Sequence, residues 1–474
     1  MRRWDFNPAL AFGIIASIVA AVFLVVTRPG YLTNVEYLGG VLLIEALAAA
    51  VWSYRQRFFP VVILVFILAG INVPMQGTWG AVRWLVLATG ALAGMAVYFK
   101  NHSFSIQWVH WITFSCVIAA AISAQGSSFP KQVLLKALSL FLLFLYGVFG
   151  ARLAAVHREE KFFAGLLWAV ELLIYLSVAE YFIFHHQFFG NPNSLGAVMG
   201  IVAVPLMFWG VLASHSVTSK RRRTLALLLA ITLLLASFAR AGIMAACVSC
   251  ALLCLLLRSY RTILKGAVIG LLIAVVVATV VTPENPAEGP ASLTSKFVFK
   301  GKESVGILGS RRSVWDTTIS SIEDHPWFGI GFGTARSRDN SNVDRVSDFG
   351  SNTDTTREHG DSYLALVEGV GLLGALPFFL LMLLVAANIG RVLIVLRRTG
   401  NLFAPGVPIA FVLLAGMVHA FFEDWLFAVG YYICVFFWAL AFILLDFAPA
   451  GTGRLPAPGE INIAEQELLV PAGR

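Results

Sequence analysis

The chain has 474 residues, of which 58% are hydrophobic and only 13% are charged, and its formal net charge is +8. These proportions lie well outside those of soluble globular domains and exclude an ordinary soluble enzyme. Apolar runs of bilayer-spanning length recur along the chain without the alternation typical of a transmembrane β-barrel. The composition therefore predicts a membrane protein built from α-helices.

The apolar runs predict roughly fourteen transmembrane helices, or about twelve if the shortest runs are not separate spans. In chain order the runs are Ala9–Val26, Tyr37–Trp52, Phe59–Val73, Ala81–Phe99, Ile106–Ile122, Val133–Val156, Phe163–Phe184, Leu195–Ala213, Leu225–Phe238, Ile243–Leu257, Ile263–Val281, Leu372–Leu396, Val407–Ala420 and Leu426–Leu445. The predicted fold is an all-α polytopic membrane protein with roughly 12–14 transmembrane helices and one large extracytoplasmic loop.

The same pattern divides the chain into four parts. We expect about eleven transmembrane helices in residues 1–282, a polar loop with short helices in residues 283–361, and further transmembrane helices in residues 362–446. Residues 447–474 are rich in proline and glycine and are predicted to form a disordered cytoplasmic tail.

Basic residues cluster at alternate connections between the predicted helices. The clusters are Arg2–Arg3, Arg55 with Arg57, Lys100, Arg152 with Arg158 and Lys161, Lys220–Arg223, Arg258 with Arg261 and Lys265, and Arg397–Arg398. The positive-inside rule places these connections in the cytoplasm and leaves the polar loop on the opposite side of the membrane. Because the clusters are explained as topology signals, no nucleic-acid partner is expected.

Arg240 lies at a predicted junction between two helices on the extracytoplasmic side, directly after Ser237-Phe238-Ala239. A charged residue at the edge of a membrane span is costly and is usually paired or functional. The side chain either snorkels to the interface or belongs to a site, and the apolar sequence around it offers no obvious carboxylate partner. Both interpretations stay open from the residues alone.

Two other polar groups fall at predicted outer helix ends. Asn191-Pro192-Asn193-Ser194 predicts a turn followed by a helix capped by Asn193 or Ser194, and its amides and helix N-terminus suit an anion or sugar hydroxyls. His419 and Glu423 are four residues apart, so we expect them to share one helix face. This pair is either a structural contact, the favoured interpretation, or a proton acceptor held by a carboxylate.

The polar loop carries side chains suited to phosphate. Residues 311–324 predict a short amphipathic helix that begins with Arg311 and Arg312 and contains Trp315. Two neighbouring guanidinium groups match the oxygens of a diphosphate. The glycine-rich run 329–333 lacks the flanking strand and the Gly-Lys-Ser/Thr of a phosphate loop, so a turn or hinge is predicted there.

His359 marks the return of the chain to the membrane, nine residues before Glu368. A histidine at a water–membrane boundary titrates near neutral pH and can accept a proton from a hydroxyl group. The sequence contains no convincing set of aspartate and histidine ligands for a metal ion, so neither a metal nor another cofactor is expected.

An ordered set of motifs resembles the O-antigen ligase and polymerase superfamily of bacterial envelopes. The matching segments are Ser237-Phe238-Ala239-Arg240-Ala241-Gly242, Arg311-x-x-x-Trp315, Asp324-His325-Pro326-x-x-Gly329-x-Gly331-x-Gly333, and His359 with Leu364, Glu368-Gly369 and Gly371-Leu372-x-Gly374. The family commonly has serine before the arginine where this chain has Ala239. Arg312 also duplicates the arginine at the helix start, so either member of that pair is a candidate for phosphate binding.

The resemblance implies a metal-independent, GT-C-like membrane glycosyltransferase in the bacterial inner membrane with its active site facing the periplasm. Its donor would be O-antigen on undecaprenyl diphosphate, its acceptor a sugar hydroxyl of lipid A–core, and membrane lipids would surround it. The reaction would be a single inverting displacement, with His359 as the base and Arg240, Arg311 and Arg312 on the diphosphate. Possible supporting or substrate-binding residues are Asn191, Asn193, Trp315, Glu368, His419 and Glu423.

Ligase and polymerase share these motifs, and the basic residues of the loop favour a ligase with an anionic acceptor. A transporter of polyprenyl-linked or small molecules is an alternative, because Glu45, Glu171 and Glu180 lie in predicted helices and suit proton coupling, arginine pairing or catalysis. The large asymmetric loop argues against a transporter. A structural polysaccharide-binding protein would not need the clustered arginine and histidine residues.

Overall fold

The computed structural model of the protein describes residues 58–71, 76–100, 108–155, 158–184, 189–281, 309–334 and 360–449. The predicted helices Ala9–Val26 and Tyr37–Trp52, and almost all of the predicted tail, lie outside the described residues. Within the described part of the chain the regular structure is entirely helical. The prediction of an all-α polytopic membrane protein is therefore confirmed.

Thirteen helices are numbered here along the described residues. They are α1 (Phe58–Gly70), α2 (Gln76–Lys100), α3 (Trp108–Ile122), α4 (Pro130–Ala155), α5 (Glu159–Ile183), α6 (Pro192–Leu212), α7 (Val217–Ala236), α8 (Arg240–Leu256), α9 (Tyr260–Val281), α10 (Gly309–Asp324), α11 (Ser362–Thr399), α12 (Gly406–Ala420) and α13 (Tyr432–Phe447). Short π-helical stretches lie within α4, α5 and α6.

Seven of the described helices are long and apolar enough to cross a membrane, namely α2, α3, α4, α5, α6, α9 and α11. Four shorter helices, α1, α8, α12 and α13, are also apolar. Helix α7 begins earlier than its apolar run suggests, because Ser216 caps it and the basic residues Lys220–Arg223 form its first turns. The polar helix α10 lies where the sequence predicts an amphipathic helix.

Helix α13 forms the centre of the bundle. Its residues from Tyr432 to Leu444 are all buried, and the indole of Trp438 is fully enclosed by Phe144 of α4 and by neighbouring rings of the same core. The indole nitrogen of Trp438 donates to the carbonyl oxygen of Leu426 at 2.8 Å. A helix that is apolar on every face, as α13 is from Tyr432 to Leu444, is expected to be buried within a bundle.

Two ion pairs join helices of the bundle. Arg152 at the end of α4 forms an ion pair with Asp446 at the end of α13. Glu171, which is buried in α5, accepts from the Nε atom of Arg222 of α7 at 2.8 Å. The expectation that a glutamate within the membrane pairs with an arginine is confirmed for Glu171, so this carboxylate stabilises the fold.

Helices α6 and α8 cross at glycine residues. A Cβ atom at Gly200 would lie 2.3 Å from the carbonyl oxygen of Gly242, and one at Gly242 would lie 2.4 Å from the carbonyl oxygen of Gly196. The two backbones therefore touch without intervening side chains, as small residues allow in membrane bundles. This crossing sets the start of α8 directly against the start of α6.

Candidate functional site

Arg240 is the first residue of α8 and follows a tight turn after α7. Ser237 closes α7 by donating its hydroxyl to the carbonyl of Leu234 at 2.7 Å, and it accepts from the amide of Ala239 at 3.3 Å. The N-cap residue of α8, Ala239, makes no side-chain capping bond. The helical hairpin predicted around Arg240 is confirmed, and Arg240 sits half-buried at its tip.

An open cleft of about 450 Å³ lies beside this turn. Its lining residues are Tyr181, Asn191, Pro192, Asn193, Ala236, Ser237 and Phe238. Asn191 and Asn193, two of the predicted substrate-binding residues, are thus brought together with Phe238, which precedes Arg240 by two residues. Helix α6 begins at this cleft, and helix N-termini favour negative charge, whereas the lining ends at Phe238, two residues before α8 begins.

The cap of α6 differs from the prediction. Asn191, rather than Asn193 or Ser194, is the N-cap residue, and its side-chain oxygen accepts from the amides of Asn193 at 2.6 Å and Ser194 at 3.3 Å. The physical reason is Pro192, which takes the first position of the helix, where a missing amide hydrogen has no cost. Because the cap uses the side-chain oxygen of Asn191, the group that this residue can offer a ligand is its side-chain amide nitrogen, as a hydrogen-bond donor.

Helix α10 carries the predicted loop arginines and packs near the start of α11. Arg312 is exposed, and the indole nitrogen of Trp315 donates to the carbonyl of Gly360 at 3.4 Å. Arg311 belongs to the same helix, although its side chain lies outside the described residues, as does all of His359. The contact between Trp315 and Gly360 places α10 beside the residue that follows His359 in the sequence.

The glycine-rich run after α10 is a turn that binds the backbone of α11. We call this contact the clasp: it joins residues 326–331 to residues 368–373. Its four backbone hydrogen bonds are Ile330 N to Glu368 O (3.0 Å), Gly331 N to Gly369 O (2.9 Å), Leu372 N to Pro326 O (2.8 Å) and Leu373 N to Trp327 O (3.4 Å). Gly371 breaks α11 within the clasp, with φ 72° and ψ 174°. The prediction of a turn instead of a phosphate loop fits this arrangement.

Three side chains lie in the clasp or beside it. Glu368 is buried at its centre, with 1% of its surface exposed. Lys136 of α4 donates its ammonium group to the carbonyl of Gly333, and the hydroxyl of Ser123 accepts from the amide of Phe332 at 2.9 Å. Sequence reasoning missed Lys136, although a lysine inside an apolar run is itself a signal of a buried polar contact.

The start of α11 is tied to the turn that follows α12. The hydroxyl of Ser362 donates to the carbonyl of Glu423 at 2.7 Å and accepts from the amides of Trp425 at 3.0 Å and Leu426 at 3.2 Å. Asp361 caps α11 through the amides of Tyr363 and Leu364. Burial raises the pKa of the Asp361 carboxyl above its ordinary value, and those amides oppose the shift.

His419 and Glu423 do not share a helix face, contrary to the prediction. Helix α12 ends at Ala420, and Ser362 holds the following turn through the backbone carbonyl of Glu423. His419 is buried, and its Nδ1 atom accepts from the indole nitrogen of Trp425 at 2.9 Å. This contact fits the structural interpretation of His419.

The two groups of residues approach each other through Tyr431. Its hydroxyl donates to the hydroxyl of Tyr432 at 3.4 Å and lies close to Ser194, the second residue after Pro192 in α6. The cleft beside Arg240 is thus connected to the turn between α12 and α13, which in turn contacts the start of α11. Among the residues that the structure describes, no three His, Cys, Asp or Glu side chains form a group that could hold a metal ion.

The long apolar helices define a multi-pass membrane protein. Its candidate site consists of polar residues at helix ends. A comparison with protein families assigns this class more narrowly. Residues 225–379 match the family model described as O-Antigen ligase. The chain carries this family's domain, which supports its membership of the O-antigen ligase superfamily and confirms the resemblance at that level. No match was found among curated proteins.

The matched segment extends from α7 into the first half of α11. It includes Arg240, the arginines of α10, His359 and the clasp with Glu368. Asn191 and Asn193 lie outside the match, as do His419 and Glu423. The cleft therefore combines residues inside the match, Ala236–Phe238, with residues outside it from α5 and the start of α6.

Proposed function

We propose that the protein is an O-antigen ligase that transfers a glycan from undecaprenyl diphosphate to a sugar hydroxyl of lipid A–core, at the periplasmic face of the bacterial inner membrane. The observation that carries this proposal is the position of Arg240. Arg240 begins α8, where Ala239 provides no side-chain cap, and it follows by two residues Phe238, which lines a cleft formed by residues of α5, α6 and α7.

The chemistry of such a donor requires stabilisation of its leaving group. As the bond between the anomeric carbon and the diphosphate breaks, negative charge develops on the diphosphate oxygens, and fixed positive groups there lower the barrier. Arg240 and the N-terminus of α8 supply such groups at one place. Arg311 and Arg312 of α10 are assigned to the same diphosphate, on the evidence of their order in the family's motifs.

His359 is proposed as the base of the reaction. It takes the proton of the acceptor hydroxyl while the hydroxyl oxygen attacks the anomeric carbon on the face opposite the diphosphate. The new glycosidic bond forms as the bond to the diphosphate breaks, so the anomeric configuration inverts and undecaprenyl diphosphate leaves. The contact of Trp315 with Gly360 supports this assignment, since it joins the arginine helix to the residue next to His359.

The structure favours an enzyme over a transporter at one specific point. A proton-coupled transporter needs a carboxylate within the membrane that can change its charge. Glu171 is instead paired with Arg222 at 2.8 Å. The candidate residues Asn191, Asn193 and Arg240 lie at the starts of α6 and α8, where the proposal has a lipid-linked glycan and its acceptor meet.

The test is reconstitution of the reaction from purified components. The protein is mixed with a glycan on undecaprenyl diphosphate and with lipid A–core, without nucleotide, in matched samples with and without EDTA. A ligated lipid A–core glycan in both samples supports a metal-independent ligase. Longer glycans on undecaprenyl diphosphate in samples without lipid A–core would indicate a polymerase. If neither product forms, both the ligase and the polymerase proposals are refuted.

The proposed orientation has a separate test. A cysteine introduced as Ser341→Cys is expected to react with a membrane-impermeant thiol reagent in intact spheroplasts. The natural chain, treated in parallel, gives the background from its own five cysteines. Labelling of the variant only after lysis would place the loop in the cytoplasm and refute the proposed periplasmic site.

A further inference from the structure

Phe238 has a backbone conformation that side chains seldom adopt. Its φ angle is 52°, in the left-handed region, and it directly follows Ser237 at the end of α7. Glycine is the usual residue at this position of a helix end, because it has no Cβ atom to clash. Left-handed non-glycine residues cost free energy and concentrate at ligand sites, so a phenylalanine here calls for an explanation.

The same conformation occurs once more among the described residues, and there it has a simple cause. Arg258 has a φ angle of 54° at the far end of α8, where Ser259 donates its amide to the carbonyl of Cys254 at 2.8 Å. A cation at a helix C-terminus interacts favourably with the carbonyl groups. Phe238 has no charge to offer, but it does line the cleft beside Arg240.

The other groups that line the cleft complement an aromatic ring. The side-chain oxygen of Asn191 is occupied by the cap of α6, which leaves its amide hydrogens to donate. The hydroxyl of Tyr181 donates to the carbonyl of Ala236 at 3.1 Å, which leaves its oxygen to accept. The cleft therefore combines aromatic surface with both a donor and an acceptor.

A sugar ring matches this combination. Its C–H groups form an apolar face that packs against aromatic side chains, and its hydroxyl groups both donate and accept hydrogen bonds. The cleft volume of about 450 Å³ lies within the roughly 300–1,000 Å³ typical of small-ligand sites. A polyprenyl chain, by contrast, would leave the donor on Asn191 and the acceptor on Tyr181 without partners.

We propose that this cleft binds the sugar residue bonded directly to the diphosphate of the donor. The inference rests on the proposed function, which assigns the diphosphate to Arg240, two residues after Phe238. The group in the cleft is then the one attached to that diphosphate. Phe238, Tyr181 and Asn191 are specificity-determining residues for it, a role that the family's arginine and histidine motifs do not cover.

The test compares two probes, a polyprenyl diphosphate bearing one N-acetylhexosamine and the same polyprenyl diphosphate without a sugar. Wild-type protein is expected to bind the sugar-bearing probe about tenfold more tightly. Phe238→Gly is expected to lose this preference and to keep its affinity for the bare diphosphate. Asn191→Ser retains a capping oxygen for α6 but lacks the amide donor, so it is expected to weaken the preference as well.

Arg258→Gly is the matched control. Both glycine variants relieve a left-handed φ angle, so neither is expected to unfold the protein, and thermal unfolding checks this. Only Phe238→Gly removes a ring from the cleft. A full sugar preference in Phe238→Gly, or none in wild type, would overturn the proposal, as would an equal loss of affinity for both probes in Phe238→Gly.

The proposed function fails in a different way. If Arg240→Ala binds both probes as tightly as wild type does, and purified wild type ligates no glycan, the assignment of the diphosphate is wrong. If wild type ligates glycan and Arg240→Ala binds both probes weakly, a normal sugar preference in Phe238→Gly refutes the sugar site alone.

Discussion

The clasp between residues 326–331 and α11 depends on Gly371, and replacing that glycine is a direct test of it. A Cβ atom at Gly371 would lie 2.3 Å from both the carbonyl carbon and the oxygen of Trp327 and 2.4 Å from the amide nitrogen of Phe328. These are backbone atoms that cannot rotate away. The conformation itself, with φ 72° and ψ 174°, is one that only glycine adopts readily.

The protein can respond to Gly371→Ala by keeping the clasp under strain or by opening it. The response with the lower free-energy cost sets the expected loss of stability. Keeping the clasp would require strained backbone, about 3 kcal/mol, together with the collision. Opening the clasp forfeits its four backbone hydrogen bonds, each contributing about 1 kcal/mol, so a loss of roughly 4 kcal/mol is expected. Because the clasp helps to hold α10 against the start of α11, the proposed ligase activity is also expected to fall by roughly tenfold or more.

Gly400→Ala is the matched control, since Gly400 has a φ angle of 66° and no atom lies within 4 Å of its Cβ position. Gly400→Ala is therefore expected to lose only about 1–2 kcal/mol of stability, from placing alanine in a left-handed conformation. Thermal unfolding in detergent, followed by tryptophan fluorescence at one heating rate, compares the two variants, and limited proteolysis probes residues 326–331. If Gly371→Ala unfolds no earlier than Gly400→Ala and stays equally resistant to protease, the clasp does not stabilise this region.

Three further outcomes are expected. Arg240→Ala should slow ligation about a hundredfold or more, and Arg240→Lys should remain impaired because lysine lacks the bidentate fork; wild-type turnover in Arg240→Ala would make this a snorkelling residue. His359→Ala should insert and bind donor normally in a pull-down yet transfer about a hundred- to ten-thousandfold more slowly; near-native ligation would transfer the role of base elsewhere. Asp361→Ala should destabilise the protein by about 1 kcal/mol in thermal unfolding and Asp361→Asn by much less, since asparagine also caps; equal losses would argue against capping.

The helices could be predicted from the sequence because membrane spans are encoded locally. Apolar runs predicted the elements, and the polar residues Ser237 and Arg240 between two runs predicted the hairpin that carries Arg240. Helix α7 was predicted too short because its first turns are basic, and a capping serine at position 216 was the signal that could have extended it. Local chemistry was sufficient for these features.

The features that escaped prediction depend on contacts distant in sequence. The end of α12 has no glycine or proline after it, and Ser362 of another helix ties down the turn that begins there. The clasp pairs two glycine-containing segments whose partners no local rule identifies. The aromatic and amide lining of the cleft likewise arises only when α5, α6 and the turn after α7 meet.

The glycine crossing of α6 and α8 has a consequence for substrate selection. Since Gly196, Gly200 and Gly242 bring backbone against backbone, no rotamer change can move α6 relative to α8. Helix α6 carries Pro192 and Asn193 of the cleft lining, so this boundary of the cleft is fixed by backbone contacts, whereas a boundary held by long side chains would adapt to many ligand shapes. Under the proposed function, we therefore expect the protein to be strict about the size of the group next to the diphosphate and tolerant of variation farther along the glycan.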